Sequence, residues 1–215
     1  MKKTLILFAV TACVILSACH KKSLEDKFNS KTYKEDISTL SEKKLLSDSD
    51  KVLLTSYIDF NKSDSSAISK TYSELLSSAK IKEENRMALE KKKKKLNESV
   101  TVTVTDKYTR YSNRDEKTKL IINIIAQNNT DKQLGGFTVR ITFKNADGVT
   151  FYTNFWQLDN IVKANSKIEQ ELSAGAYSNT QTDLVKLNMA DMSKIKIEYE
   201  ILAIMYDDGT SLSVE

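Results

Sequence analysis

Cys19 is the residue in this chain best placed for chemistry. It closes the run Leu16-Ser17-Ala18-Cys19, which follows a Lys2-Lys3 head and an apolar stretch from Leu5 to Leu16. A basic head, a short apolar core and small residues before a cut site are the anatomy of a secretory signal peptide. Cleavage between Ala18 and Cys19 leaves a thiol on the new first residue, able to take a lipid through its sulfur. The apolar stretch falls well short of the roughly 20 residues that a spanning helix needs, and His20, Lys21 and Lys22 follow at once. A cleaved leader is therefore expected, not a transmembrane helix.

Little else is reactive. Cys13 lies inside the leader, so the mature chain has no thiol for a disulfide, a nucleophile or a thiolate metal site beyond Cys19 itself. The single histidine, His20, adjoins the anchor, which leaves the folded part without an imidazole for proton transfer or metal ligation. Asp147, Asp207 and Asp208 are the nearest thing to an acid-base or cation cluster, but Asp147-Gly148 and Asp208-Gly209 read as turns whose local hydrogen bonding explains the carboxylates. Gly135-Gly136 precedes a strand and not a helix, so it makes no phosphate loop, and no serine sits in a nucleophile elbow. The expectation is no catalytic residue, no metal ligand and no cofactor. The net charge of +4 partly comes from the leader lysines, and a near-balanced mature chain argues against a nucleic-acid partner.

One cluster suits binding. In Phe151 to Trp156, strand alternation sets Phe151, Thr153 and Phe155 on one side and Tyr152, Asn154 and Trp156 on the other. One side must be core. If the second side is exposed, Tyr152, Asn154 and Trp156 form an interaction surface of aromatic rings beside an amide; the competing reading, which we favour, buries Trp156.

Four segments must carry these residues: a leader over 1–18, a lipid anchor and flexible tether over 19–34, a helical segment over 35–98 and a β-domain over 99–215. Ser47 with Asp50, ahead of Leu53, Leu54, Tyr57 and Ile58, predicts a capped amphipathic helix. Thr71 with Glu74 predicts a second, longer one running through Leu75, Leu76 and Ala79 to Lys95. The run Lys91 to Lys95 reads as a solvated helix end, in preference to a patch for an anionic surface. From Val100 the period becomes two. Val100-Val104, Leu120-Ala126, Phe137-Phe143, Val149-Trp156, Ile168-Leu172, Ile195-Ile201 with Ala203-Tyr206, and Ser211-Val214 read as about seven short strands separated by turn residues. This predicts a mainly β fold with an α-helical N-terminal segment, an antiparallel immunoglobulin-like β-sandwich in architecture only, since the antibody cysteines are missing. The chain has no proline, for which we have no physical account.

Leu16-Ser17-Ala18-Cys19 resembles the lipobox of bacterial lipoproteins, which implies a diacylglyceryl group on the Cys19 sulfur, cleavage after Ala18, and outer-membrane sorting in a Gram-negative cell, because His20 stands where an inner-membrane lipoprotein commonly has Asp. Further segments resemble an uncharacterised family of bacterial envelope lipoproteins with a helical N-terminal part and an immunoglobulin-like C-terminal sandwich. They are Leu46-Ser47-Asp48-Ser49-Asp50 with Leu53-Leu54 and Tyr57-Ile58, Glu83-Glu84 leading to Val100-Thr101-Val102, Gln127 to Lys132, Val139 to Phe143 with Asp147-Gly148, and Ile204 to Thr210. The segment Asn154 to Leu158 departs from that family by being more aromatic.

The function expected is a non-enzymatic binding module held in the cell envelope by lipid on Cys19, its partner an envelope protein or a cell-wall glycan. Two alternatives are an assembly factor working through the helix from Thr71 to Lys95, and a hydrolase using Asp207 and Asp208.

Overall fold

The computed structural model describes residues 22–63, 69–114, 116–177 and 182–214; Ala18, Cys19 and His20 lie outside them. The chain divides into two compact units, Met1–Arg86 and Met87–Glu215. The division falls within one helix, α3.

In the first unit, α1 spans Tyr33–Glu42, α2 spans Asp48–Asn61, and α3 (Tyr72–Ser99) contributes its first half. Both expected capping boxes are built. The Ser47 hydroxyl accepts from the Asp50 amide at 3.1 Å. Thr71 N–H donates to the Glu74 carboxylate at 2.8 Å while Glu74 N–H returns to the Thr71 hydroxyl at 3.2 Å. Helix α1 turns Tyr33, Ile37 and Leu40 inward, and they share a core with Phe28, Leu54, Ile58, Tyr72 and Leu75. It ends with Lys44 in the left-handed region (φ 57°) and Leu45 N–H donating back to Leu40 O at 3.0 Å, a closure of the Schellman type.

The stretch 19–34, expected as anchor and flexible tether, is described from Lys22 onward. Residues 22–28 are folded against the start of α3: Ser73 N–H donates to Leu24 O at 2.8 Å, Tyr72 N–H to Asp26 O at 3.1 Å, and Phe28 N–H to Lys70 O at 2.9 Å. Phe28 is buried and Leu24 packs on the same core. Two apolar residues spaced by polar ones give no helical or strand period, so pattern alone cannot show the segment pinned.

A polar knot closes the unit. Asp36 accepts from the Tyr72 hydroxyl at 2.6 Å and the Thr32 hydroxyl at 3.0 Å, and pairs with Lys22 at 3.0 Å. Burial alone would raise the Asp36 carboxyl, but the hydrogen bonds from Tyr72, Lys22 and Thr32, with the Lys22 charge, hold it below the ordinary carboxylate range. A carboxylate depressed in the folded state stabilises the fold above its unfolded pKa of about 3.9, and the contribution is lost as pH falls through the folded value. Asp36→Asn should therefore cost about 2 kcal/mol at pH 7, measured by urea denaturation. The gap from wild type should narrow as the pH is taken below the folded value. A gap that stays constant with pH would contradict this assignment.

The second unit holds seven strands in two antiparallel sheets. Strands β1 (Val100–Ser112), β2 (Lys117–Asn128) and β5 (Lys167–Ala176) form one, ordered β1-β2-β5. Strands β3 (Leu134–Lys144), β4 (Thr150–Leu158), β6 (Lys196–Tyr206) and β7 (Ser211–Ser213) form the other, ordered β4-β3-β6-β7. Alternation builds the core between them. Leu120, Ile122 and Ile124 come from one sheet, Val139, Ile141, Phe143 and Ile201 from the other, and all are buried in one cluster. The near-continuous apolar run in β2 suits its central place in the three-stranded sheet.

Two features depart from the pattern expected of the sequence. The stretches expected at Ile195-Ile201 and Ala203-Tyr206 belong to one strand, β6, with a register shift opposite Thr138 and Val139 between them. A short helix, α4 (Thr182–Met189), joins β5 to β6 and buries Leu184 and Leu187; at two turns it is too short for its period to stand out.

Candidate functional site

Tyr152, Asn154 and Trp156 do not form an exposed surface. Strand β4 lies at the edge of its sheet, and its alternation turns these residues toward β5. Trp156 is only 9% exposed, and its indole N–H donates to Ser173 O at 2.9 Å. The Tyr152 hydroxyl donates to Ala174 O at 2.8 Å and accepts from Asn154 Nδ2 at 3.1 Å. Burial pushes the Tyr152 phenol pKa up. Ala174 is the extra residue of a bulge, since Leu120 opposes Gly175 and Ile121 opposes Ser173. The aromatic donors thus satisfy carbonyls at a bulged edge and fasten the two sheets together. The favoured reading of Trp156 as a core residue holds for a chemical reason: a large ring with one polar atom is well used where an apolar core meets a free carbonyl.

The opposite face of β4 looks outward, and there the sheet lines up a row of functional groups. Arg140 on β3 sits in register with Phe155 on β4 and Glu200 on β6. Phe155 is 55% exposed, and the Arg140 guanidinium stands 5.8 Å from its ring centroid. Arg140 donates to Glu200, and Lys93, from the second half of α3, brings a second cation to the same carboxylate at 3.2 Å. One step along the sheet, Thr153, Thr142 and Glu198 align, with Lys144 paired to Glu198 at 2.5 Å.

The second half of α3 is held beside this face by its last turn. Strand β7 pairs only with Ala203 to Met205, so the earlier part of β6 has an open edge. Asn97 reaches it and accepts the Ile201 N–H at 2.8 Å, while Leu96 is buried in the core. Between helix and sheet lies a cleft of about 430 Å³ lined by Glu90, Lys93, Asn97, Arg140, Thr142 and Glu200, among others. Lys93 therefore departs from the solvated helix end expected of the lysine run, whereas Lys94 pairs within the helix to Glu98 at 3.8 Å.

Chemically, this face can stack a ring or a flat apolar surface on Phe155 and offer hydrogen bonds from Arg140, Thr142 and Thr153. Arg140 and Lys93 share the Glu200 carboxylate and Lys144 pairs with Glu198, so the face presents ordered, paired polarity. The row is not legible in the sequence. The alternation of Thr138, Arg140, Thr142 and Lys144 marks a wet face, but only the strand register reveals that Arg140 meets Phe155 and Glu200.

The carboxylates considered for chemistry are used in turns. Asp208 accepts from the Thr210 amide at 2.9 Å and its hydroxyl at 2.5 Å, and pairs with Lys132 at 2.9 Å; these contacts hold it far below the usual carboxylate range. Asp207 accepts from Gln133 at 3.0 Å, and Asp147 belongs to the β3–β4 turn with Gly148 at φ 82°. Among the described residues there is no cluster of three or more His, Cys, Asp or Glu able to hold a metal.

No family model matches the chain, and no curated protein matches it. Among solved structures it is similar to a Northeast Structural Genomics Consortium target solved by X-ray crystallography, at 13% identity and a TM-score of 0.29 over 54% of this chain and 81% of that one. It is also similar to a protein described as a putative late embryogenesis abundant (LEA) protein, solved in solution, at 9% identity and a TM-score of 0.34 over 62% of this chain and 82% of that one. Likenesses this distant carry no argument about function.

Proposed function

We propose that this chain is a lipid-anchored bacterial envelope lipoprotein acting as a non-enzymatic interaction module, attached through Cys19 and binding through the outer face of the four-stranded sheet. The observation that carries the binding role is the row Phe155, Arg140, Glu200 and Lys93. An exposed phenylalanine ring and an arginine, both enriched at protein interfaces, are fixed by register on a rigid sheet and flanked by a cleft. The partner is an envelope protein or a cell-wall glycan. The location rests on the lipobox-like Leu16-Ser17-Ala18-Cys19, and outer-membrane sorting follows from His20 if the cell is Gram-negative.

We read the architecture more finely as immunoglobulin-like. Naming the strands in order A, B, C, C′, E, F and G gives sheets A-B-E and C′-C-F-G, an order that supports this reading. Trp156 lies on the fourth strand and not the third, a departure from antibody domains.

Native electrophoresis of detergent-extracted membranes tests the binding role. Wild type should migrate in an assembly well above its own mass. Phe155→Ala combined with Arg140→Glu should collapse that band to the free protein, with the amount in the membrane unchanged. Both substitutions sit on an exposed face, so the fold should survive. An assembly unaffected by the double variant would refute the proposed face.

A further inference from the structure

Deepening the proposed function, and resting on its reading of Cys19 as the lipid-bearing residue, we infer that the helical unit does not swing on a tether but seats directly on anionic lipid headgroups, through Lys43 and Lys44 with Leu45 beside them.

Covalent length sets the first constraint. Lys22 is already part of the folded unit: its ammonium pairs with Asp36 at 3.0 Å and lies 5.7 Å from the Tyr72 ring centroid. From Cys19 to Lys22 is three residues, which even fully extended span about 10 Å. The backbone at Lys22 is therefore confined to that distance from a lipidated sulfur's own residue. Lys43 is in the same place, because its ammonium donates to the Lys22 carbonyl at 3.3 Å. Lys44 and Leu45 follow in the loop that closes α1.

Charge and exposure then select the partner. Lys43 and Lys44 are exposed, and Leu45 is an exposed large apolar residue. The Lys22 charge is already matched by Asp36, so Lys43 and Lys44 supply the excess, with Glu42 the acidic neighbour on the end of α1. The Debye length at physiological salt is about 8 Å, comparable to the reach allowed by the anchor. Lysines this close feel the surface potential of an acidic leaflet, each favouring the bound orientation by roughly fivefold. An apolar side chain next to them can enter the headgroup boundary, as on interfacial helices. A lipid surface is thus the occupant that both the chain length and the charge favour.

The test is lysine footprinting with a water-soluble amine reagent on the acylated protein in phosphatidylglycerol-containing vesicles, read by mass spectrometry. Lys43 and Lys44 should be modified about fivefold less than in the same mature chain without its lipid and without vesicles. Lys82, on α3 about 15 Å along the helix from Tyr72, should stay near its unanchored value. Lys43→Glu with Lys44→Glu should leave the protein bound to vesicles while raising the reactivity of Lys22. Equal modification of Lys43 and Lys44 in the anchored and unanchored states, with the protein still bound, would overturn the inference. Intact mass reports acylation of Cys19 separately. If cells leave Cys19 bare, the same footprint on chain coupled through Cys19 to a maleimide-bearing lipid decides the seating by itself.

Discussion

Exported behind an ordinary cleavable leader, the chain carrying Cys19→Ala is expected to leave the membrane pellet and appear in the soluble fraction, with membrane-bound protein falling by about two orders of magnitude. Each buried methylene contributes about 0.8 kcal/mol, so one acyl chain holds marginally and two or three hold firmly. Removing the sulfur removes all of the chains attached through it. Among the described residues no helix is long and apolar enough to cross a membrane, and two lysines near a headgroup layer cannot replace several acyl chains. Carbonate-washed fractions, with an intact mass for the wild type, make the measurement. Thermal unfolding should be unchanged, because the packed cores of the described residues are built from Leu24 onward. A variant that stays in the washed pellet without lipid would remove the anchor from the account.

Asn128→Ala should destabilise the β-unit by about 3 kcal/mol. Asn128 is wholly buried, and its amide nitrogen faces Lys132 O at 2.8 Å, Val162 O at 3.1 Å and Lys163 O at 3.1 Å. Its side-chain oxygen accepts from the Thr130 amide at 2.9 Å and the Thr130 hydroxyl at 2.7 Å. One side chain thereby ties the β2–β3 turn to the segment that leads into β5. Alanine removes all of these hydrogen bonds at about 1 kcal/mol each and leaves the Thr130 amide without its acceptor, while Val162 O keeps the Leu134 N–H, Lys163 O keeps Ser166 and Lys132 O keeps the Thr130 hydroxyl. Asn128→Asp should cost more, because it turns two donors into charge facing carbonyls. Urea denaturation with an unchanged slope reads both. A loss under about 1 kcal/mol for alanine would mean that water or a shifted turn takes over the hydrogen bonds.

Asn128 also marks how far the sequence can be read. Asn128-Asn129-Thr130-Asp131 is legible as a turn from residue type alone, yet the burial of its first member is not, because turns usually lie on the surface. Neighbouring Asn129 is equally specific: its amide donates to Glu98 O at 3.1 Å and to the Thr101 hydroxyl at 2.8 Å, capping the end of α3 where β1 begins. Period and caps place α2, α3 and most strands, since those signals are local. Strand β6 reads as two pieces around Ile201 and Ala203 because a bulge breaks period without ending pairing.

The proposed binding face is half visible in the sequence. Alternation separates Phe155 from Trp156, but which side faces inward depends on the neighbouring sheet, and the carbonyls that attract Tyr152 and Trp156 belong to a strand more than ten residues downstream. Likewise Lys93 in its lysine run gives no hint of Glu200, because the pairing crosses from a helix to a strand about a hundred residues away. The proposed anchor is the opposite case. Its signal is entirely local, and the described part of the chain begins just after it.

The proposed binding face is tested most directly by photo-cross-linking in intact cells from a reactive residue placed at Thr153, which lies on the outer face of the edge strand β4, in register with Thr142 and two residues from Phe155. The control is Thr103, exposed on the outer face of the other sheet. A discrete adduct should form from position 153 and not from 103, and Phe155→Ala with Arg140→Glu should abolish it while the protein remains in the membrane. Sensitivity of the adduct to a muramidase would assign the partner to the cell wall, and insensitivity to a protein. Equal adducts from both positions, or an adduct from 153 that survives the double variant, would contradict the central claim.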